Sequence, residues 1–282
     1  MSFPLILSRR KTRRLALQYV ILVAVLILMV GRLLAPLMAA FKGAGEPLFG
    51  PQASILPSQP SLSAFQELVT KTPIVSSISN SLIVCALSVA SHIVLATLGG
   101  YMLSRKGWSG RTISFLIITS ALIFPFESIM VSLFAQVRDM GLYDTLLGVW
   151  LPGMLGPFHV LLMRAAFLGV PEDMEDAAFL DGAGEFRRFW SIFLPQAKGA
   201  ITIVALTSFI YAWEDYLWPL LVVRSNGNFT MMLSIAQLQS SFGFDYRVVL
   251  AGALLALLPV AVLFFFTQKF FFKGIEEGGM KF

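Results

Sequence analysis

Two groups of side chains in this 282-residue sequence have the types and spacing for a specific task. The first is a run of six carboxylates, Glu172, Asp173, Glu175, Asp176, Asp181 and Glu185, interleaved with Ala177, Ala178, Gly182 and Ala183. Carboxylates crowded at the start of a helix complement the positive end of its dipole, and small residues beside them let another protein approach closely. The second group is Tyr211, Trp213, Glu214, Asp215, Tyr216 and Trp218. Aromatic faces beside carboxylates suit a sugar: a ring covers its C–H face while the acids accept hydrogen bonds from its hydroxyls. The same residues also fit an interfacial aromatic belt with acids near the headgroups, and both readings stand at this level.

The usual signatures of catalysis are missing. There is no G-x-x-x-x-G-K-[ST] to cradle phosphate, no H-E-x-x-H or Cys/His ligand spacing for a metal, and no G-x-S-x-G nucleophile. His92 and His159 lie in different apolar runs with no evident partner in the sequence, which reads as core histidine rather than proton relay. Cys85 is the single cysteine, so no disulfide forms within the chain, and a small core residue is its reading.

These groups interrupt a sequence that is 57% hydrophobic and only 13% charged, with a mean hydropathy of +0.78. Windows of about 20 apolar residues predict six membrane spans at roughly 15–40, 73–103, 112–135, 142–168, 200–223 and 248–272. The net charge of +5 does not point to nucleic acid, because the basic residues cluster beside the spans. With the N-terminus inside, the inner segments (9–14, 105–111, 187–198 and 269–281) hold fourteen Lys and Arg against five in the outer ones. The positive-inside rule then makes both termini cytoplasmic. The chain reads as an all-α polytopic membrane protein with this organisation: a basic cytoplasmic N-terminus (1–14), a first transmembrane helix and outer loop (15–72), a core of five transmembrane helices (73–272) with a cytoplasmic loop at 170–199, and a cytoplasmic tail (273–282). Pro125, Pro152 and Pro219 are candidate kinks or breaks, Arg32 is expected to snorkel outward, and 65–69 reads as a short amphipathic turn.

Within the cytoplasmic loop, Pro171 is expected to open a helix and Gly182 to end it in the left-handed conformation. A second amphipathic piece begins near Glu185 and carries Phe186, Phe189, Trp190 and Phe193 to the membrane interface. Pro195 turns the chain back into the bilayer.

Asp176, Ala177, Ala178, Gly182, Ile192, Leu194 and Pro195 occupy the seven fixed positions of E-A-A-x3-G-x9-I-x-L-P, with Asp176 in place of the usual Glu. In this the chain resembles the permeases of binding-protein-dependent ABC importers. The segments 164–183 and WEDYLWPLLVV (213–223) look like the carbohydrate type, in particular the smaller permease of maltose-type importers. The resemblance implies a type I ABC importer permease fold in a bacterial or archaeal cell (inner) membrane. It implies a second permease subunit as heterodimer partner, two ATPase subunits or domains that bind ATP and Mg, and an extracytoplasmic solute-binding protein. It also implies alternating access, with Glu175, Asp176, Ala177, Ala178, Asp181, Gly182 and Ala183 docking on the ATPase, and a chain that is itself non-catalytic and holds no cofactor or metal. The expected solute is a di- or oligosaccharide. A polyol or glycerol-phosphate-type solute, and an ATP-independent secondary transporter, are the alternatives. The tail 272–282 is either a further ATPase contact or a solvated end, and Glu127 with Arg138 either an outer gate pair or interfacial charges.

Overall fold

The computed structural model describes residues 4–240 and 245–279, with side chains at 14–31, 34–239 and 245–268. All regular structure among them is helical: α1 (Pro4–Ala39), α2 (Ser63–Lys71), α3 (Ile74–Ser104), α4 (Arg111–Ala121), α5 (Phe126–Asp139), α6 (Leu146–Trp150), α7 (Pro157–Leu168), α8 (Glu172–Leu180), α9 (Glu185–Arg188), α10 (Leu194–Gln196), α11 (Lys198–Glu214), α12 (Leu217–Val222), α13 (Met231–Ser240) and α14 (Tyr246–Gly279). The side chains of Arg32 and of the tail lie outside the described residues.

Among the described residues, three stretches are single helices long and apolar enough to cross a membrane: Arg14–Ala39, Ile74–Ser104 and Tyr246–Gln268. Three bent pairs raise the number to six if each pair is one span. They are α4 with α5 (bent by 100°), Leu146–Gly153 with α7 (46°), and Glu185–Gln196 with α11 (74°). The third and fourth expected spans are therefore broken rather than straight. Pro125 stands in extended conformation immediately before α5, where it disfavours helix in the residue preceding it. Pro152 lies in a 3₁₀ turn at the second break. The fifth span also differs from expectation. Its helix ends at Glu214 instead of running to 223, and the aromatic arm at Glu185–Gln196 precedes it across a 74° elbow. Within that arm Phe189–Phe193 form a π turn. Pro195 offers no N–H to the carbonyl four residues back, and a wider turn accommodates the loss.

By Cα proximity the chain divides into two compact units. The first comprises residues 1–72 and 238–255. Its outer segment folds around Lys42, only 2% exposed, whose ammonium donates to the carbonyls of Pro47 (2.9 Å) and Ser54 (2.7 Å). The Glu46 carboxylate receives the backbone N–H of Gly43 (3.1 Å) and of Ser58 (2.5 Å). Hydrogen bonding from the Ser58 hydroxyl is the main reason its carboxyl is held below the ordinary range. Arg247 donates to the Lys42 carbonyl at 3.1 Å. The predicted amphipathic turn is a full helix, α2, with Ala64 and Leu68 buried.

The second unit comprises 73–237 and 256–282, and in it α7 and α11 pack along α3. The buried face of α3 carries Ser77, Ser81, Cys85, Ser88, His92, Ala96 and Gly100, all small except the histidine and recurring every third or fourth position. That stripe lets neighbouring backbones come close where lipid supplies no hydrophobic force between helices. The Ser81 hydroxyl accepts the N–H of Met231 (2.7 Å), and the Cys85 thiol meets the carbonyl of Phe209 (3.7 Å). Two apolar clusters flank the seam. One gathers Tyr101, Met163, Phe167, Phe189 and Phe193. The other gathers Val84, Met130, Val149, Trp218 and Val222. Beyond the second cluster, Asp144 adopts a left-handed φ of 57°, and its carboxylate accepts from the backbone of Arg224 (2.9 Å) and Ser225 (3.0 Å). The Ser225 N–H is the largest of the contacts that hold this carboxyl low.

A Cβ on Gly100 would stand 2.7 Å from the Arg164 backbone nitrogen, whereas one on Gly199 would meet open space. Gly100→Ala is therefore expected to destabilise the protein by about 1–3 kcal/mol and Gly199→Ala to leave it unchanged, read as thermal unfolding in detergent. Equal melting of both variants would show that the α3–α7 approach is not tight.

Candidate functional site

The acidic loop forms a helix whose start and stop are both encoded locally. Pro171 is the residue before the first turn, not within it, with φ −58° and ψ 133°. Glu172, Asp173 and Glu175 fill the first turn of α8, beside the unsatisfied N–H groups. At the other end Gly182 has φ +76°, its N–H bonds the Phe179 carbonyl (3.0 Å), and the Ala183 N–H bonds that of Ala178 (2.9 Å). This is a Schellman stop, in which a left-handed glycine satisfies the last carbonyls.

No residue of α8 is buried. Phe179 and Leu180 are 67% and 85% exposed, and Asp176, Ala177 and Asp181 are exposed beside them. Among the described residues neither Asp176 nor Asp181 has an ion-pair partner. Ala178 and Ala183 are half-buried.

Glu175 behaves differently from its neighbours. Its carboxylate accepts from Arg105 (2.5 Å) and Arg188 (3.2 Å), and all three side chains are at most a quarter exposed. Arg188 also pairs with Glu185, and Glu185 accepts the Tyr101 hydroxyl at 2.6 Å. The Arg105 guanidinium lies over the rings of Phe193 (4.2 Å) and Tyr101 (4.9 Å), a cation–π arrangement. The back of α8 is thus tied to the end of α3 and to α9, around a polar cavity of about 580 Å³. Lys106 and Glu172 form an exposed pair at 2.7 Å, and the hydrogen bond from Lys106 holds the Glu172 carboxyl below its usual range. In the sequence, Arg105, Lys106 and Arg188 carry only the orientation signal. Nothing in it pairs Arg105 and Arg188 with Glu175 or Lys106 with Glu172, because the contacts span up to 70 residues.

The second group is divided by the fold. Trp213 is 1% exposed, stacks on Phe209 with ring centroids 5.9 Å apart, and donates to the Ala256 carbonyl at 3.0 Å. Trp218 is equally enclosed and donates to the Gly148 carbonyl at 3.2 Å. Asp215 sits in extended conformation at the break after α11, where its carboxylate accepts the Trp218 N–H at 3.3 Å. Tyr211, Glu214 and Tyr216 are exposed. Arg138 pairs with Asp139 at 3.5 Å rather than with Glu127.

The histidines, without partners in the sequence, have them in the fold. His92 meets the Ser208 hydroxyl (2.8 Å) and the Gly153 carbonyl (2.7 Å), His159 meets the Thr207 hydroxyl (2.9 Å), and the two rings pack 4.6 Å apart. They join α3, α7 and α11 at one level.

Comparison with known proteins follows this geometry. Residues 92–276 match the family described as the binding-protein-dependent transport system inner membrane component. The arabinooligosaccharides transport system permease protein AraQ of Halalkalibacterium halodurans is 33% identical over 202 residues, 72% of each chain. The maltodextrin transport system permease protein MalD of Streptococcus pneumoniae is 29% identical over 279 residues, 98% of each. In fold, a chain from the crystal structure of a bacterial ABC transporter involved in the import of the acidic polysaccharide alginate superposes with a TM-score of 0.83, covering 93% of this chain and 98% of that one at 21% identity. The protein is a helical membrane permease with the type I ABC importer fold, and it belongs to the family of inner-membrane components of binding-protein-dependent transport systems.

Proposed function

We propose that this chain is one of two permease subunits of an ATP-driven importer for a di- or oligosaccharide. The observation that carries the coupling role is α8: a helix with an encoded start and stop, no buried residue, and a backing of ion pairs. A helix that merely linked spans would have no reason to expose Phe179 and Leu180 to water, and an apolar face rimmed by carboxylates suits a protein groove. Asp176, Ala177, Ala178, Asp181, Gly182 and Ala183 make the ATPase contact, while Glu175 holds the helix to the permease body. In this reading both termini and the loop at 170–199 are cytoplasmic, and the five-helix core at 73–272 carries the path.

ATP and Mg are bound by two partner ATPase subunits, and a solute-binding protein delivers the sugar from outside. Closure of the ATPases moves α8, and the tie through Glu175 to Arg105 and Arg188 passes that motion to α3 and α9. The membrane cavity then alternates between outward and inward access. The sugar assignment draws on the names of the relatives and on the exposed side chains of Tyr211, Glu214 and Tyr216.

Two expectations follow for the transporter reconstituted with its partners in proteoliposomes. Gly182→Val forces a β-branched residue into the left-handed region at a cost of about 1–3 kcal/mol. It should leave ATP hydrolysis running while uptake falls at least about tenfold; Gly182→Asn, which tolerates that φ, should retain uptake. Loss of uptake in neither variant would sink the docking role of α8. Tyr211→Ala should raise the solute concentration for half-maximal uptake without lowering the melting temperature, whereas Trp213→Ala should lower the melting temperature. If Tyr211→Ala leaves that concentration unchanged, the residue is not on the path.

A further inference from the structure

A second cavity, of about 520 Å³, opens between α3, the α9–α10 arm and the start of α11. Its size lies in the range of ligand sites, about 300–1,000 Å³. Val94 and Leu98 of α3, Phe186 and Trp190 of the arm and Ile201 of α11 line it. Phe186 and Trp190 stack with their ring planes within 14° of each other, yet they are 77% and 63% exposed. Val94 and Leu98 are about half exposed. Burying an aromatic ring is worth roughly 1.5–3 kcal/mol, so such a surface needs an apolar medium against it.

Among the lining side chains only Lys198 carries a charge, and among the described residues it has no ion-pair partner. The other polar one, Thr97, spends its hydroxyl on the Ile93 carbonyl at 2.7 Å. Lys198 opens α11 just after the 74° elbow, where the chain turns into a membrane span. An ammonium at the rim of an apolar groove at that level complements one amphiphile: an anionic headgroup with a hydrocarbon chain.

We infer that this groove binds one anionic phospholipid, with its acyl chain along Val94, Leu98 and Trp190 and its phosphate on Lys198. The bound lipid wedges the α9–α10 arm against α3, at the foot of the loop that carries α8. This site does not depend on the transport reading, since it concerns only the membrane face of the fold.

The test is native mass spectrometry of the delipidated transporter complex, titrated with phosphatidylglycerol or with phosphatidylcholine of the same chain length. The wild type should bind its first phosphatidylglycerol about fivefold more tightly than phosphatidylcholine, the worth of one lysine near a membrane surface. Lys198→Gln, an exposed change that leaves the core intact, should abolish that preference. Leu98→Trp should weaken both lipids by filling the groove. Inorganic phosphate should not compete. Equal binding of the two lipids by the wild type, an unchanged preference in Lys198→Gln, or displacement by inorganic phosphate would overturn the inference. A photoreactive residue at 190 that crosslinks to the partner permease instead of lipid would overturn it too, by showing the groove to be a subunit contact.

Discussion

The close approach of α7 and α11 to α3 is the constraint on which the second unit depends. Two apolar helices in lipid gain nothing from hiding from each other, so their contact must come from dispersion at short range and from hydrogen bonds. The small face of α3 supplies the first, down to Gly100 lying under the backbone of Arg164. Ser81, Cys85 and His92 supply the second, each reaching a group on another segment. The broken spans are tolerable only because of this seam. A helix interrupted at membrane depth leaves carbonyls without donors, and these must be met by protein. The Gly153 carbonyl, at one such break, is met by His92, and the Gly148 carbonyl by Trp218.

The loop that carries α8 stands on that seam through charge as well as through the apolar packing of Phe189 and Phe193. Tyr101 and Arg105 sit at the end of α3, and they reach Glu185 and Glu175 respectively. Arg188 belongs to α9 and joins both acids. Partly buried ion pairs contribute little net stability once desolvation is counted, but losing one member leaves a charge without its partner. Such a network fixes an orientation more than it strengthens a fold. It resists small rotations of α8 while leaving its outer face free.

How far the sequence discloses this can be followed residue by residue. Gly182 is legible because only a residue without Cβ sits easily at φ +76°, and its spacing from Asp176 marks the helix end in advance. The six apolar stretches are legible by length, although three of them turn out bent, because composition reports hydrophobicity and not straightness. The fifth span ends early by the same limit. Its apolar run continues to 223, yet Asp215 and Tyr216 break the helix. Within the aromatic group, periodicity does not separate Trp213, locked against Phe209 and Ala256, from Tyr211 two positions earlier and open to its surroundings.

The sequence by itself determined the solvent of this protein, the family it resembles, and the start and stop of its exposed helix. Those properties are written in local chemistry: hydropathy over a window, a proline before a turn, a glycine after one. The tertiary structure alone decided which charges meet and which side chains remain free. It set Glu175 apart from Asp176, brought His92 to His159, and enclosed Trp213 and Trp218 while leaving Glu214 outside. The reason is that ion pairs, ring contacts and burial depend on distances across the fold, and spacing along the chain does not fix those distances until α3, α7 and α11 have packed.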